Sequence, residues 1–358
     1  MPSLFDPIRL GAIEAPNRIL MAPLTRGRAT ADHIPTPIMA EYYAQRASAG
    51  LIISEATGIS LQGLGWPYAP GLWSDAQIEA WKPITAAVHQ AGGRIIAQLW
   101  HMGRVVHSSL PGRGQPVSAS ATTAPGLAHT YGEKQPHVEA RALRLDEIPG
   151  LLEDYRRAAA NALKAGFDGV QIHAANGYLI DQFLRETSNL RTDQYGGSIE
   201  NRIRLLREVA AAVIEVVGAD RTSVRMSPNG ASQGVNDSNP QALFPAAASA
   251  LAELGVSFLE LREPDFNGTR GVAEFPPIAP AIKQAFKGPL VLNSDYDGPK
   301  GQAALDSGPA DAIAYGRTFL ANPDLPHRIK HKLALNPDRM DSWYSGGAEG
   351  YTDYPTAG

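Results

Sequence analysis

The sequence predicts an α/β protein closed as a (β/α)8 TIM barrel, and three observations carry that prediction. Short, nearly continuous apolar segments recur eight times along the chain. Each is followed by a stretch of helical periodicity, the pattern of parallel strands buried on both faces. Neither G-x-G-x-x-G nor G-x-x-x-x-G-K occurs, which disfavours a doubly wound open sheet with a dinucleotide fingerprint or a P-loop. Closure into a barrel uses every element.

Taken in order, residues 4–16 read as two extended pieces around Gly11, a β-hairpin cap for the barrel floor. The strand segments are 18–23, 51–55, 94–100, 169–173, 222–226, 256–261, 289–294 and 311–315. Helical patterns cover 37–49, 75–91, 147–165, 198–217, 240–254, 278–286, 298–307 and 323–333. The second helix is the best marked, with Ser74 and Gln77 spaced as a capping box and Gly92-Gly93 at its stop. The connection 101–146 is rich in Gly, Pro, Ser and Thr and too long for a plain loop. It is expected to form a lid over the barrel mouth, within one domain spanning 1–358; its tip at 111–115 reads equally as a solvated excursion. The segment 346–355 is too aromatic for an idle tail and is expected to fold back onto the site.

Composition excludes several classes of function. With 358 residues, 44% of them apolar, a large core is available, yet no apolar run approaches the ~18 residues of a bilayer span. The first ten residues do not read as a secretory segment, which makes the cytoplasm the expected location. Lys and Arg total 32 against 36 Asp and Glu, net charge −4, so a nucleic-acid partner is disfavoured. Cysteine is absent, which removes disulfides, thiolate nucleophiles and cysteine-ligated clusters, so redox chemistry would need another carrier.

Active sites of such barrels form at the carboxyl ends of the strands. There the chain places Pro23-Leu24-Thr25-Arg26, Gln98-Leu99-Trp100-His101, and the stretch D-G-V-Q-I-H-A-A-N-G-Y ending at Tyr178. Arg225, Asn293 to Tyr296 and Gly316-Arg317 follow. Amides, arginines and a phenol predominate. No carboxylate pair suits a glycosidase, and H-E-x-x-H is absent; His327 and His331 read as helix surface rather than a metal site. His173 and Asn176 can each offer an N–H to one acceptor, and Tyr178 carries a phenol of unperturbed pKa ~10 just past the turn. Two donors and a proton source suit carbonyl chemistry, while a lone strand-end histidine is more often structural than catalytic, and it is the polar groups at the other strand ends that favour chemistry.

Five motifs occur in order: M-A-P-L-T-R, A-Q-L-W-H, H-A-A-N-G-Y-L-I-D-Q-F-L, Y-G-G-S-I-E-N-R and A-Y-G-R. On these, from Leu4 to Pro355, the chain resembles the Old Yellow Enzyme family, and within it the bacterial ene-reductases and nitrate-ester reductases. The resemblance implies a bound FMN, NADPH or NADH as transient reductant, and an enone, nitroalkene or nitrate-ester substrate. It implies that Gln98 meets the flavin pyrimidine edge, that Thr25 donates to the C4 carbonyl, and that Ala22, Pro23, Leu24 and Ala56 lie along the ring. Arg225 would face the N1 and C2 carbonyl side, the alternative being a salt bridge to a neighbouring helix. Gly316 and Arg317, with Asn293 and the backbone of Ser294 and Asp295, would take the phosphate. His173 and Asn176 would hold a substrate oxygen and Tyr178 would supply the proton. Trp100, Tyr68 and Tyr351 would wall the pocket, or be ordinary core aromatics. The segment 193–202 would be structural, with Glu200 and Arg202 tying loop to barrel. A reading from another class is a flavin-binding redox sensor or storage protein without turnover. A larger cluster-containing dienoyl-CoA reductase type is disfavoured by the missing cysteines.

Overall fold

The computed structural model describes residues 2–269 and 271–357. Two short strands, β1 (Ile8–Leu10) and β2 (Ile13–Ala15), pair antiparallel as the expected hairpin. Then β3 (Ile19–Met21), β4 (Ile52–Gly58) and β5 (Ile95–Trp100) enter the barrel, separated by α1 (Pro37–Ala44) and α2 (Asp75–Gln90). The 101–146 connection, expected as a lid, carries β6 (Val117–Ser118), β7 (Leu127–Ala128), β8 (Gln135–Pro136) and β9 (Arg141–Ala142), and none of its residues lines the cavity at the mouth. After it come α3 (Ile148–Lys164), β10 (Val170–Ala174), α4 (Leu179–Leu184), α5 (Ile199–Arg202), α6 (Arg204–Val217) and β11 (Thr222–Met226). Next are α7 (Pro240–Glu253), β12 (Leu259–Arg262), α8 (Ala279–Phe286) and β13 (Leu290–Asn293). The last elements are α9 (Gly298–Ser307), β14 (Ala312–Tyr315), α10 (Arg317–Ala321) and α11 (Leu325–His331). The eight strands β3, β4, β5, β10, β11, β12, β13 and β14 close on themselves as a parallel barrel, as expected.

Strand period two sorts the side chains into three environments. Outward residues such as Val170, Ile172, Val224 and Leu259 join the helices in one continuous apolar sleeve. Inward residues at the amino ends, Leu20, Ile53, Ile96, Phe258 and Val291, pack with Leu10 and Ile13 of the hairpin, which thereby seals the floor. Higher up, the inward positions turn polar, with Gln98, Gln171, Arg225, Glu260 and Asn293 all buried. The apolar floor secures the barrel; the polar layer has no packing reason to exist.

Local signals set several boundaries. Ser74 Oγ accepts the Gln77 N–H at 3.4 Å and Gln77 Oε1 accepts the Ser74 N–H at 3.1 Å, the anticipated capping box. The predicted helix 198–217 is interrupted at Ile203, and the short helices α4 and α10 were not anticipated. The predicted strand 256–261 is trimmed at its start because Ser257 turns back to the Thr222 carbonyl, with Val256 in the sleeve and Phe258 in the floor.

The lid is ordered by specific contacts. Its tip is the solvated excursion that the sequence allowed, with Pro111, Gly112, Gly114 and Gln115 exposed, and it is pinned by Arg113, which is buried and donates to the Leu64 carbonyl at 2.9 Å. His129 stacks on Trp66 at 4.0 Å. The segment 346–355 does fold back, but onto the first barrel loop and α1 rather than the mouth. Arg26 donates to the Gly350 carbonyl at 2.6 Å, Arg46 to the Tyr351 carbonyl at 3.2 Å, and Gln45 to the Thr352 carbonyl at 2.9 Å. Around 193–202 the ties are Arg191 with Asp193 at 2.6 Å, and Arg202 with the Leu184 carbonyl at 2.7 Å and with Asp237. Glu200 stands exposed and takes no part.

Candidate active site at the barrel mouth

A cavity of about 810 Å³ opens at the carboxyl ends of the strands, in the size range of small-ligand sites. Pro23, Asn176, Arg225, Ser294, Gly316 and Arg317 line it. The motif residues from five separate strand ends therefore share one space.

On one side stands the β10 turn. The His173 and Tyr178 rings meet edge-on at 4.9 Å, and Trp100 meets Tyr178 edge-on at 5.0 Å while lying nearly parallel to His173 at 6.3 Å. Burial, with the nearby Arg225 charge, holds the His173 imidazole well below its ordinary pKa, so the ring is neutral. Its Nδ1 accepts the Ala175 N–H at 3.3 Å. The proton of that neutral ring is therefore on Nε2, which makes Nε2 a donor. Burial is also the main cause that raises the Tyr178 pKa well above 10, with Tyr344 adding to it and Arg225 and Arg262 opposing. The phenol keeps its proton at neutral pH.

The turn holding these groups is strained and propped from below. Asn176 has φ +59° and Gly177 φ +75°, a left-handed pair for which Asn is among the few tolerated non-glycine residues. The Asn176 N–H donates to Ser227 Oγ at 2.8 Å and the Gly177 N–H to Asp181 at 2.8 Å. Asp181 of α4 in turn pairs at 2.9 Å with Arg185, the residue just past the end of that helix, and both are buried. Gln182 donates to the Gly177 carbonyl at 2.8 Å and the Met102 carbonyl at 3.1 Å, and accepts from Ser118 at 2.9 Å, tying turn to lid. These props were not anticipated, although Asp181 and Gln182 lie inside the motif that was read. The Asn176 side-chain oxygen is buried with no hydrogen-bond partner among the described residues.

Below the mouth runs a polar belt. Gln98 Nε2 donates to Gln171 Oε1 at 2.8 Å, and Gln171 Nε2 donates to Glu260 Oε2 at 3.0 Å. Arg225 Nε lies 3.0 Å from Glu260 Oε1, and its guanidinium donates to Asn293 Oδ1 at 2.7 Å. Asn293 Nδ2 donates to the Ala314 carbonyl at 2.7 Å. The alternative offered for Arg225, a salt bridge to a neighbouring helix, is not what is seen: its carboxylate partner stands on the next strand. Gln171 and Glu260 were missed because a polar residue within an apolar strand carries no sign of which way it faces.

The phosphate side is looser. Ser294 and Asp295 have φ of +147° and +43°, two successive non-glycine residues at positive φ, a conformation that persists only where surroundings impose it. Asp295 accepts the Thr269 N–H at 2.8 Å and pairs with Arg317 at 2.5 Å, and Arg317 also contacts Thr269. A Cβ on Gly316 would meet only Leu24, at an ordinary 3.6 Å. The protein's own packing does not require glycine there, and Gly316 lines the cavity.

None of the three expected pocket walls lines the cavity: Trp100 packs on His173 and Tyr178 at the β10 turn, and the other two lie further off. Tyr351 is wholly buried, stacked on Tyr42 at 4.0 Å beneath the Arg26 and Arg28 guanidiniums. Tyr68 is 42% exposed against Tyr131 of the lid and does not line the cavity. Trp343 and Tyr344 line it instead. Thr25 and Ala56 stand beside the mouth, with Ala56 in register with Gln98.

A closed parallel barrel that gathers a buried cation, amides and a strained turn around one cavity at its carboxyl end is the frame of a barrel enzyme. The sequence profile of the NADH:flavin oxidoreductase / NADH oxidase family matches residues 3–336. The chain is 42% identical over 356 residues to putative 12-oxophytodienoate reductase 11 of Oryza sativa subsp. japonica, covering 98% of this chain and 97% of that one. It is 43% identical over 364 residues to chanoclavine-I aldehyde reductase of Penicillium roqueforti, covering 99% and 96%. Among solved structures, an old yellow enzyme homologue from Zymomonas mobilis superposes with TM-score 0.98 at 64% identity, covering 99% of each chain. Morphinone reductase in complex with tetrahydroNAD superposes with TM-score 0.95 at 46% identity, covering 100% of this chain and 98% of that one. The chain belongs to the NADH:flavin oxidoreductase / NADH oxidase family, the Old Yellow Enzyme group that its motifs resemble. It is an oxidoreductase whose cofactor is FMN and whose reductant is NAD(P)H.

The residues present fit that cofactor. Gln98 keeps its Oε1 and one N–H uncommitted, matching a ring edge that presents N–H and C=O together. Arg225 lines the cavity as a permanent cation, and Gly316 leaves room for a phosphate. Among the described residues no helix is long and apolar enough to cross a membrane.

Proposed function

We propose that this oxidoreductase reduces the activated C=C bond of α,β-unsaturated carbonyl or nitro compounds, with nitrate esters as further acceptors. The observation that carries the reading is the Trp100, His173 and Tyr178 cluster, which sets a protonated phenol beside a neutral imidazole whose Nε2–H is a donor. When bound, FMN takes hydride from NAD(P)H and gives it to the alkene β-carbon. His173 Nε2–H and the Asn176 amide hold the carbonyl or nitro oxygen, on which negative charge develops as hydride arrives, the logic of an oxyanion hole. Tyr178 gives its phenolic proton to the α-carbon, and its raised pKa keeps that proton in place until the carbon becomes basic. Trp100 holds the Tyr178 ring edge and limits where the substrate sits. Gln98, Thr25 and Arg225 hold the isoalloxazine edge; Gly316, Arg317 and the backbone of Ser294 and Asp295 hold the phosphate. The relatives named for 12-oxophytodienoate and morphinone reduction support substrates of this enone class.

The test uses purified protein. It should be yellow, release FMN on heating, and oxidise NADPH faster when an enone is added. An FMN-loaded protein that NADPH reduces but no enone or nitroalkene reoxidises would contradict the reading and leave a redox sensor. Colourless protein that takes up no FMN would overturn the cofactor assignment itself.

A further inference from the structure

The polar belt has a direction, and one residue sets it. Glu260 is a carboxylate in an ion pair with Arg225, so it can only accept hydrogen bonds. Gln171 must then turn its Nε2 to Glu260 and its Oε1 to Gln98, and Gln98 must turn its Nε2 to Gln171. The amide orientation of Gln98 at the mouth is therefore dictated from Glu260 through a single intervening glutamine. On the other side Asn293 is fixed by the Ala314 carbonyl, also acceptor-only, and receives Arg225 on its oxygen. Arg225 thus lies between an amide oxygen that accepts its hydrogen bond and a carboxylate that faces its Nε at 3.0 Å as an ion pair, and only the second is charged.

Glu260 is wholly buried, and Arg225 is nearly so, where charges are screened far less than in water. A fixed anion 3.0 Å from Arg225 offsets much of the positive potential that the guanidinium would otherwise exert on its surroundings. We propose that Glu260 is a positioning residue for the flavin, orienting Gln98 through Gln171 and compensating Arg225, and thereby holding the FMN midpoint potential lower than Arg225 alone would set it. The proposal rests on the flavin reading above. A lower potential makes the reduced enzyme a stronger hydride donor to a poorly activated alkene.

The sign follows from charge. Reduction adds negative charge to the ring system, so removing Glu260 leaves Arg225 uncompensated and favours the reduced form. FMN-loaded Glu260→Gln, nearly isosteric, should therefore show a midpoint potential shifted positive in a dye-equilibrated reductive titration, with Glu260→Asp between it and the parent. Gln171→Leu cuts the relay but keeps the ion pair; it should lose FMN faster on dilution while holding the parent potential. An FMN-loaded Glu260→Gln with the parent potential, or one shifted negative, overturns the compensation. A Gln171→Leu that releases FMN at the parent rate overturns the orienting role. If Glu260→Gln fails to fold, Glu260→Asp alone decides, since a lengthened ion pair still requires a positive shift. Parent protein that binds no FMN would instead remove the flavin reading, a separate and visible outcome.

Discussion

Around the mouth, the β10 side rests on Asp181 and Arg185, whose side chains are 0% and 2% exposed, while on the β13–β14 side Asp295 and Arg317 are 21% and 33% exposed. Both pairs brace a backbone at positive φ, at Asn176 in the first case and at Ser294 and Asp295 in the second. The buried brace holds the groups proposed to act in the reaction, where misplacement by an ångström would be costly. The exposed brace holds a surface on which a phosphate is expected to settle, where charge and available N–H groups matter more than a single geometry. Rigidity is concentrated on the side where the chemistry is proposed.

The largest effect should come from the phenol. Tyr178→Phe should slow the half-reaction with an enone by ~10²- to 10⁴-fold and leave reduction by NADPH nearly intact, read by stopped-flow of each half-reaction. Equal slowing of both would mean that the variant distorts the pocket, and the contrast between the two sides would lose its chemical content. Next come the braces themselves. Asp181→Ala strands a buried guanidinium and should cost about 3–5 kcal/mol in denaturant unfolding. Arg317→Ala removes a partly exposed pair and should cost under about 1 kcal/mol while weakening FMN binding. Comparable stability losses in the two variants would erase the comparison.

A smaller effect separates the two donors. His173→Ala or Asn176→Ala should weaken binding of a phenolate-forming phenol and slow enone reduction by roughly 10²-fold or more, the usual effect on rate of removing a single oxyanion donor. Phenol affinity unchanged in both would return the pair to a structural role.

The smallest effect is a pH slope at the root of the lid. His101 is pushed down to about 3 by burial. It is fully satisfied as a neutral ring, accepting the Gly103 N–H at 3.1 Å and meeting Gln62 at 3.0 Å. The unfolded chain takes up that proton near pH 6.5 and the folded chain does not, so stability is present above ~6.5 and is lost as pH falls, at up to roughly 1.4 kcal/mol per pH unit. His101→Gln should flatten the slope of unfolding free energy between pH 6 and 4 by about one proton's worth. An unaltered slope would mean that His101 titrates normally.

Much of the site was legible because its parts are close in sequence. His173, Asn176 and Tyr178 lie on one strand and its turn, and local periodicity is enough to bring them together. The same holds for the Ser74 and Gln77 capping box and for the hairpin around Gly11. Tyr351 was misplaced for the opposite reason. Its position follows from Arg26, Arg28 and Arg46 gathering the carbonyls of the last segment, contacts more than 300 residues apart for Arg26 and Arg46. Tyr344, a few residues earlier, reached the mouth instead, and an aromatic residue in an irregular segment carries no periodicity to tell the two apart.

The sequence by itself determined the alternation that closes into a barrel, the end at which polar groups collect and the family to which the chain belongs. All three depend on patterns repeated within short windows. Tertiary structure alone decided which polar residues meet across strands. Gln171 and Glu260 are 89 positions apart, and they touch because barrel closure fixes the register of β10, β11 and β12. A shift of one residue would turn Glu260 out into the apolar sleeve, and no local pattern in the chain specifies that register.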